Sequence, residues 1–150
     1  MIRLSTKLRD NLAGTTGFAS TFANGVIEIY SGSQPASADA AVTGTLLGTV
    51  TLNSGAFTPG TATNGLTFAA ASGGSVSKSG VWSFNGITAG TAGWFRLKGN
   101  GVDAGGVSTT LPRLDGSIAT SGGDMTISNL NITVGAPNTV DTFTWTQPAS

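Results

Sequence analysis

The sequence predicts an all-β fold, an antiparallel β-sandwich of jelly-roll type preceded by a short N-terminal helical arm. Short stretches of branched and aromatic residues alternate with turns rich in Gly, Ser, Thr and Pro, and Gly alone accounts for 23 of the 150 residues. Only the start of the chain has helical periodicity, so nothing indicates alternating strands and helices. About eight strands in one domain fit a sandwich, with a five- or six-stranded barrel as the alternative.

Residues 1–25 are the predicted helical segment and linker, and residues 26–150 are the β-domain. The leucines that recur at every fourth position are Leu4, Leu8 and Leu12. They make the single apolar stripe of an amphipathic helix, which Ser5 or Thr6 can cap and Gly14 can end. A helix this short is stable only when it packs on something. It either packs on its own domain or reaches a neighbouring subunit as an arm.

Period-two alternation and turn signals place the strands. The predicted strands are residues 26–30, 46–52, 65–70, 81–85, 91–98, 117–120, 125–134 and 139–147. The longest irregular segment is 99–116, and a loop of that length in a compact domain is usually functional or disordered.

The three tryptophans differ in the side of the strand that each is predicted to face. Trp82 and Trp145 are in phase with neighbouring phenylalanines, which predicts core positions. In the strand at 91–98, Phe95 and Leu97 are expected to point inward. Trp94, Arg96 and Lys98 then point outward, and the reverse is the less favoured alternative. Trp94 is therefore the tryptophan predicted at a surface or interface, where large apolar side chains are favoured.

Composition excludes several classes of function. Charged residues make up 9% of the chain and the net charge is zero, so long-range attraction to nucleic acid or an anionic membrane is not expected. The sequence contains no Cys or His, which removes thiolate chemistry and the commonest general base and metal ligand. No signal sequence or membrane helix is indicated, and synthesis in the cytoplasm is expected. So little charge favours self-association; the alternative is a soluble protein with an uncharged polar surface.

No reactive motif is convincing. A G-x-G-x-x-A spacing at residues 99–104 leads into two further glycines, whereas a dinucleotide site must open a helix. The aspartates after residue 30 are separated from one another in sequence, as turn residues are. A glycosidase pair and a serine nucleophile with a lysine base are both disfavoured. We predict no catalytic, metal-binding or cofactor-binding residues, and therefore no enzyme.

Two motifs carry a resemblance to a known family. The first is Tyr30-Ser31-Gly32-Ser33-Gln34-Pro35 followed by Ala38-Asp39, and the second is Gly93-Trp94-Phe95-Arg96. With the Leu/Arg-containing start, these motifs make roughly the first two-thirds of the chain similar to small tailed-bacteriophage virion proteins. The resemblance implies a capsid cement, or decoration, protein. Such a protein stabilises the major capsid protein lattice as a jelly-roll dimer or trimer on the capsid surface.

Four contact regions follow from this resemblance. They are the N-terminal segment (Leu4, Lys7, Leu8, Arg9), the loop with Gln34, Pro35 and Asp39, the pair Trp94 and Arg96, and the long loop with Pro112 and Arg113. The alternative for each region is an ordinary turn or core role, which is the favoured interpretation for residues 34–39. The expected partners are the major capsid protein and further copies of the chain, without nucleic acid, membrane or cofactor. The alternatives are a tail or baseplate component, distinguished by copy number, and a carbohydrate-binding β-sandwich that uses Trp94 or Trp82.

Overall fold

Residues 1–149, which the computed structural model describes, form eleven strands and two helices. The strands are β1 (Arg3–Leu4), β2 (Val26–Ser31), β3 (Leu46–Leu52), β4 (Thr67–Phe68), β5 (Ser75–Ser79), β6 (Trp82–Asn85), β7 (Gly90–Lys98), β8 (Arg113–Ala119), β9 (Met125–Ile127), β10 (Asn131–Ile132) and β11 (Pro137–Thr146). The helices are α1 (Thr6–Ala13) and α2 (Phe18–Phe22). The all-β prediction is confirmed.

Seven of the strands close into a barrel. Around the ring the order is β8, β7, β2, β3, β6, β11 and β9, and β9 returns to β8. All neighbours are antiparallel except the closing pair, where Ile118 lies opposite Met125 and Ala119 opposite Thr126. The sheet is therefore a closed barrel and not the jelly-roll sandwich predicted from the sequence. The barrel considered as the alternative had five or six strands, whereas this one has seven. Closure removes the free edges that a sandwich leaves exposed.

Strand β11 connects the barrel to a second, smaller sheet. Its first residues pair with β6, its middle with β9 and its last three residues with β5, which in turn pairs with β4. Strand β1 pairs with the first half of β8, and β10 pairs with the start of β7. These additions extend the apolar core beyond the barrel without breaking the ring.

The core is aromatic at the end where the helices pack. Phe18 of α2 stacks on Trp145 with ring centroids 5.1 Å apart, and it meets Phe22 edge-on at 5.0 Å. Phe143 lies 5.4 Å from Trp82, which is fully buried. The prediction that Trp82 belongs to the core is confirmed, whereas Trp145 is only half-buried and packs against the core from its rim.

The N-terminal segment packs on its own barrel. Ser5 caps α1 by accepting a hydrogen bond from the Leu8 N–H, and Gly14 ends the helix with its N–H on the Asp10 carbonyl. Ser5 also accepts from the Arg113 N–H at 2.9 Å, which joins the cap to β8. Leu8 is completely buried in the common core. Of the two arrangements left open by the sequence, packing on its own domain is the one observed.

Strand boundaries differ from the prediction where apolar alternation is weak. The bounds of β3 agree with the predicted 46–52. The predicted strand 125–134 is two short strands, β9 and β10, and β8 begins at Arg113, inside the predicted loop. Strand β5 was missed because Val76 is its only large apolar residue, and α2 was missed because its five residues show no periodicity.

Neither helix in residues 1–149 is long and apolar enough to cross a membrane.

Candidate functional site

The outer face of β2, β7 and β8 carries charged and aromatic side chains that are nonetheless buried. One row across the strands runs from Thr49 through Glu28, Arg96 and Asp115 to Arg3. The rows on either side of it contain Tyr30 with Trp94 and Ser117, and Val26 with Lys98 and Arg113. The sequence predicted the outward direction of Trp94, Arg96 and Lys98, but their exposure was wrong. Two long loops, 32–45 and 99–112, cover this face.

Arg96 and Asp115 form a doubly hydrogen-bonded ion pair at the centre of the face. Arg96 Nε donates to Asp115 Oδ1 and Nη2 donates to Oδ2, both at 2.7 Å. Both side chains are completely buried. Burial raises the pKa of Asp115, and the Arg96 guanidinium opposes that rise. The planar fork of Arg fits a carboxylate in this geometry, and it fixes both side chains in one position.

A second arginine pair holds the long loop 99–112. Arg113 donates to the two carboxylate oxygens of Asp103 at 2.7 and 2.6 Å. Burial acts to raise the pKa of Asp103, but the bonds from Arg113 and the Gly105 N–H, with the charge of Lys98, bring it below its ordinary value. The carboxylate of Asp103 is therefore ionised at neutral pH and fastens the loop to β8.

Lys98, Glu28 and Tyr30 complete the charged layer. Lys98 Nζ lies 2.8 Å from Glu28 Oε1 and also donates to the Asp103 carbonyl. The Tyr30 hydroxyl donates to the other oxygen of Glu28, and burial together with this bond raises the pKa of Tyr30 beyond its ordinary range. Each of the three acidic side chains is thus paired with one cation.

The same arginines also hold the loop 32–45. Arg96 Nη1 donates to the Ala40 carbonyl at 3.1 Å, and Arg113 donates more weakly to the carbonyls of Ala38 and Ala40. The two loops join each other, because the Val42 N–H donates to the Gly105 carbonyl at 2.9 Å. Their positions are therefore set by the ion pairs beneath them.

The N-terminal helix braces the loops from one side. The carboxylate of Asp39 accepts from the N–H and the hydroxyl of Thr6 at 2.8 and 2.6 Å, which places an acidic group at the start of α1. The Ser108 N–H donates to the Asp39 carbonyl at 2.9 Å. Asp39, which belongs to the loop 32–45, thus joins helix α1 to the loop 99–112 as well.

We call the outer surface of residues 33–43 and 102–110 the loop platform. Its exposed side chains are small and uncharged: Ser33, Ala36, Ser37, Ala41, Thr43, Val102, Ala104, Val107, Thr109 and Thr110. Two of them are conspicuously apolar, since Val102 is 76% exposed and Val107 is 79% exposed. The two acidic residues within these segments, Asp39 and Asp103, are used in the internal bonds described above.

Trp94 is not at the surface, contrary to its prediction. Its side chain is 1% exposed; it stacks on Tyr30 with ring centroids 4.7 Å apart, and the Arg96 guanidinium lies 5.5 Å from its ring centre. Its Nε1–H has no hydrogen-bond partner among residues 1–149. The alternation along β7 correctly placed Trp94 on the outer side of the strand, but the loop platform covers it there.

Five of the eleven predicted contact residues are internal. Leu8, Pro35, Trp94, Arg96 and Arg113 are buried, which corrects their prediction as surface contacts. Leu4, Lys7, Gln34, Asp39 and Pro112 are half-buried, and Arg9 is exposed. Arg96 and Arg113 hold the loops of the platform from below, whereas Leu8 belongs to the apolar core.

Glu28, Asp103 and Asp115 are the residues that sequence reasoning missed. Asp115 lies opposite Arg96 in the register of β7 and β8, and Asp103 lies in the loop that leads to Arg113, ten residues before it. No local pattern pointed to these pairs, because both Asp103 and Asp115 fell in the predicted loop 99–116. No group of three or more His, Cys, Asp or Glu side chains in residues 1–149 is placed to hold a metal ion.

Comparison of the chain with protein-family models, with curated proteins and with solved structures gives no significant match in any of the three.

Proposed function

We propose that this chain is a structural virion protein, a non-enzymatic capsid cement protein that binds the major capsid protein lattice through the loop platform. It works on the outer surface of the shell, after synthesis in the host cytoplasm, and associates with further copies of itself. No cofactor is required for such a role, because shape and non-covalent contact supply the binding energy.

One observation carries this proposal: two long loops are held rigid from below while their exposed surface stays uncharged. Three ion pairs lie under the platform, and the two arginine pairs are doubly hydrogen-bonded. A contact surface that is ordered before binding loses less conformational entropy when a partner docks. The exposed Val102 and Val107 then offer apolar area without a desolvation cost from charge.

The distribution of charge supports the same role. Of seven cationic and seven anionic side chains, three of each lie in the ion pairs under the platform, which leaves four of each for the rest of the molecule. Exposed charge normally keeps proteins apart in solution. A surface composed mainly of Gly, Ala, Ser and Thr suits a protein whose faces are covered in an assembly.

A barrel serves this purpose as well as the jelly-roll sandwich implied by the family resemblance. Both forms give a rigid body from whose wall loops project. In this barrel the platform lies over the wall formed by β2, β7 and β8, where it is supported along nearly the full length of β7.

The direct test is insertion of charge into the platform. The variant carries Val102→Asp and Val107→Asp together, and its matched control carries Val134→Asp at a 63%-exposed valine outside the platform. Shells assembled from the major capsid protein of the same genome, without this chain, are mixed with each protein and sedimented.

Wild type and the control variant should sediment with the shells, and the platform variant should bind at least about tenfold more weakly, as the burial of two unpaired carboxylates requires. Equal binding by the platform variant, or no binding by wild type, would contradict the proposal. Circular dichroism of each variant checks that the fold is intact.

A further inference from the structure

A separate cleft lies on the outer wall of the barrel beside the loop platform. Its volume is about 450 Å³, within the ~300–1,000 Å³ typical of small-ligand sites. The outer faces of β2, β3, β6 and β7 form its floor, and the segments 53–59 and 99–103 form its walls. We call it the outer-wall cleft.

The floor of the outer-wall cleft is polar but has no net charge. Glu28 and Lys98 both line it, and they neutralise each other at 2.8 Å. The side chain of Lys98 is only 6% exposed. A charged ligand would compete with this existing pair, whereas a neutral ligand with hydroxyl groups can bond to both members of it.

Several hydrogen-bonding groups in the floor still have unused capacity. Lys98 Nζ has three N–H groups and uses two of them, on Glu28 and on the Asp103 carbonyl. Within residues 1–149 the hydroxyl of Thr49 and the side-chain amide of Asn85 make no hydrogen bond, and both residues line the cleft. A third ammonium hydrogen, a hydroxyl and an amide therefore converge on one space.

One wall supplies an apolar surface. Phe57, Pro59 and Ile87 line the cleft, and Ile87 is 57% exposed. A cleft that is lined by an aromatic ring and also by hydroxyl, amide and ammonium groups can bind a molecule with one face of C–H groups and an edge of hydroxyls. Pyranose sugars have that character, with apolar ring faces and polar edges.

The walls are held in place before any ligand enters. The Thr51 hydroxyl donates to the Gly55 carbonyl at 2.7 Å, and Asn64 Nδ2 donates to the Ala56 carbonyl at 2.8 Å. The two walls are also joined, because the Gly60 N–H donates to the Asn100 carbonyl at 2.9 Å. A preformed site of this kind loses little conformational entropy on binding.

From these observations we infer that the outer-wall cleft binds a neutral saccharide of one or two sugar units. The sugar hydroxyls bond to Glu28, Lys98, Thr49 and Asn85, and one face of the ring packs on Phe57. Saccharide binding is measured on the isolated chain, so it can succeed or fail whatever the result of the shell-binding test of the loop platform.

The test is a titration of the ¹⁵N-labelled full chain with glucose, galactose, N-acetylglucosamine, maltose and lactose, followed by amide chemical shifts. At least one of these sugars should shift the amides of Glu28, Thr49 and Asn85 in a saturable way. Glucuronate and glucosamine, which have the same ring with a charge, should bind several-fold more weakly than glucose.

Two variants assign the binding to this cleft. Thr49→Val and Asn85→Ala should each weaken binding about fivefold, the usual effect of one lost hydrogen bond. Thr91→Val is the matched control, since it makes the same change at an exposed position of β7 that does not line the cleft. Because Asn85 is exposed, its variant should fold even if the Thr49 variant does not.

The inference is overturned if none of the five neutral sugars shifts these amides. It is equally overturned if the charged sugars bind best, or if both variants bind as wild type does.

Discussion

Arg96 and Arg113 are completely buried and share the Ala40 carbonyl as an acceptor. A buried guanidinium is tolerated only when a carboxylate neutralises it and its N–H groups are bonded. Asp115 and Asp103 supply those carboxylates, one from a strand and one from a loop. The position of the loop platform is therefore tied to the chemistry of two ion pairs.

Removal of Asp115 tests this dependence at a single residue. Asp115→Ala leaves Arg96 buried and unpaired, and we expect the free energy of unfolding to fall by about 3–5 kcal/mol. The matched control is Asp141→Ala, an exposed aspartate with no hydrogen-bond partner in residues 1–149, which should change stability by less than about 0.5 kcal/mol. Urea unfolding measures both. Similar losses in the two variants would contradict the role of the pair.

Asp103 makes stability depend on pH. Its pKa is lower in the folded chain than in the unfolded one, so its contribution is complete above the unfolded pKa of about 4 and is lost as the pH falls through the folded pKa. Asp115 has the opposite effect on the pH dependence of stability. Burial raises its pKa, so the folded chain takes up this proton more easily than the unfolded chain does as the pH falls.

The Asp103→Asn variant isolates the contribution of Asp103 to the pH dependence of stability. It should be less stable than wild type at pH 7, and its thermal midpoint should fall less steeply as the pH is lowered below about 4. Thermal melts at a series of pH values measure this. If the midpoint falls equally steeply with pH in both proteins, Asp103 is not the group that makes stability depend on pH.

Among the strands, β7 sets the geometry of the platform. Gly93 is the extra residue of a bulge, between the pairs Ser31 with Ala92 and Tyr30 with Trp94. A Cβ at Gly93 would lie 2.0 Å from the Gly32 carbonyl oxygen. Only glycine fits there, because the carbonyl is part of the backbone and cannot rotate away.

Gly93→Ala should therefore separate β2 from β7 locally and lower the free energy of unfolding by about 1–3 kcal/mol. Gly101→Ala is the matched control, since a Cβ there meets no atom within 4 Å. Chemical denaturation of the two variants compares them directly. Equal stability would mean that the strands tolerate a side chain at the bulge.

Local patterns predicted much of each element but little of what covers it. Alternation of Leu, Val and Thr located β3, and the capping residue Ser5 and the terminal Gly14 located α1. The parallel pairing of β8 with β9 closes the barrel, and it depends on contacts across the chain that no local pattern encodes. The ring was unpredictable for this reason.

The charged face under the loop platform was predictable only in part, because local patterns indicate direction and not burial. Alternation placed Trp94 and Arg96 on the outer side of β7 but could not show that two irregular loops cover them. Those loops have no periodicity, and they are held by bonds to Ala38, Ala40 and Asp103 that only the folded chain brings near the arginines. Trp94, Arg96 and Arg113, which were predicted to contact a partner, lie beneath these loops instead.

At the scale of the whole molecule, charged side chains are few and their signs balance, both beneath the platform and outside it. Three ion pairs use six of the charged side chains beneath the platform, and most of the outside is Gly, Ala, Ser and Thr. A barrel with a rigid, uncharged platform can dock by shape on a regular lattice. Low exposed charge, a disadvantage for a free protein, is then suited to close packing.

The most direct measurement is a cryo-electron microscopy reconstruction of shells of the major capsid protein to which the wild-type chain has been added. We expect one barrel-shaped density at each occupied lattice site on the outer surface, with Val102 and Val107 of the loop platform facing the capsid subunits. A shell without added density, or a bound chain whose loop platform faces solvent, would contradict the account.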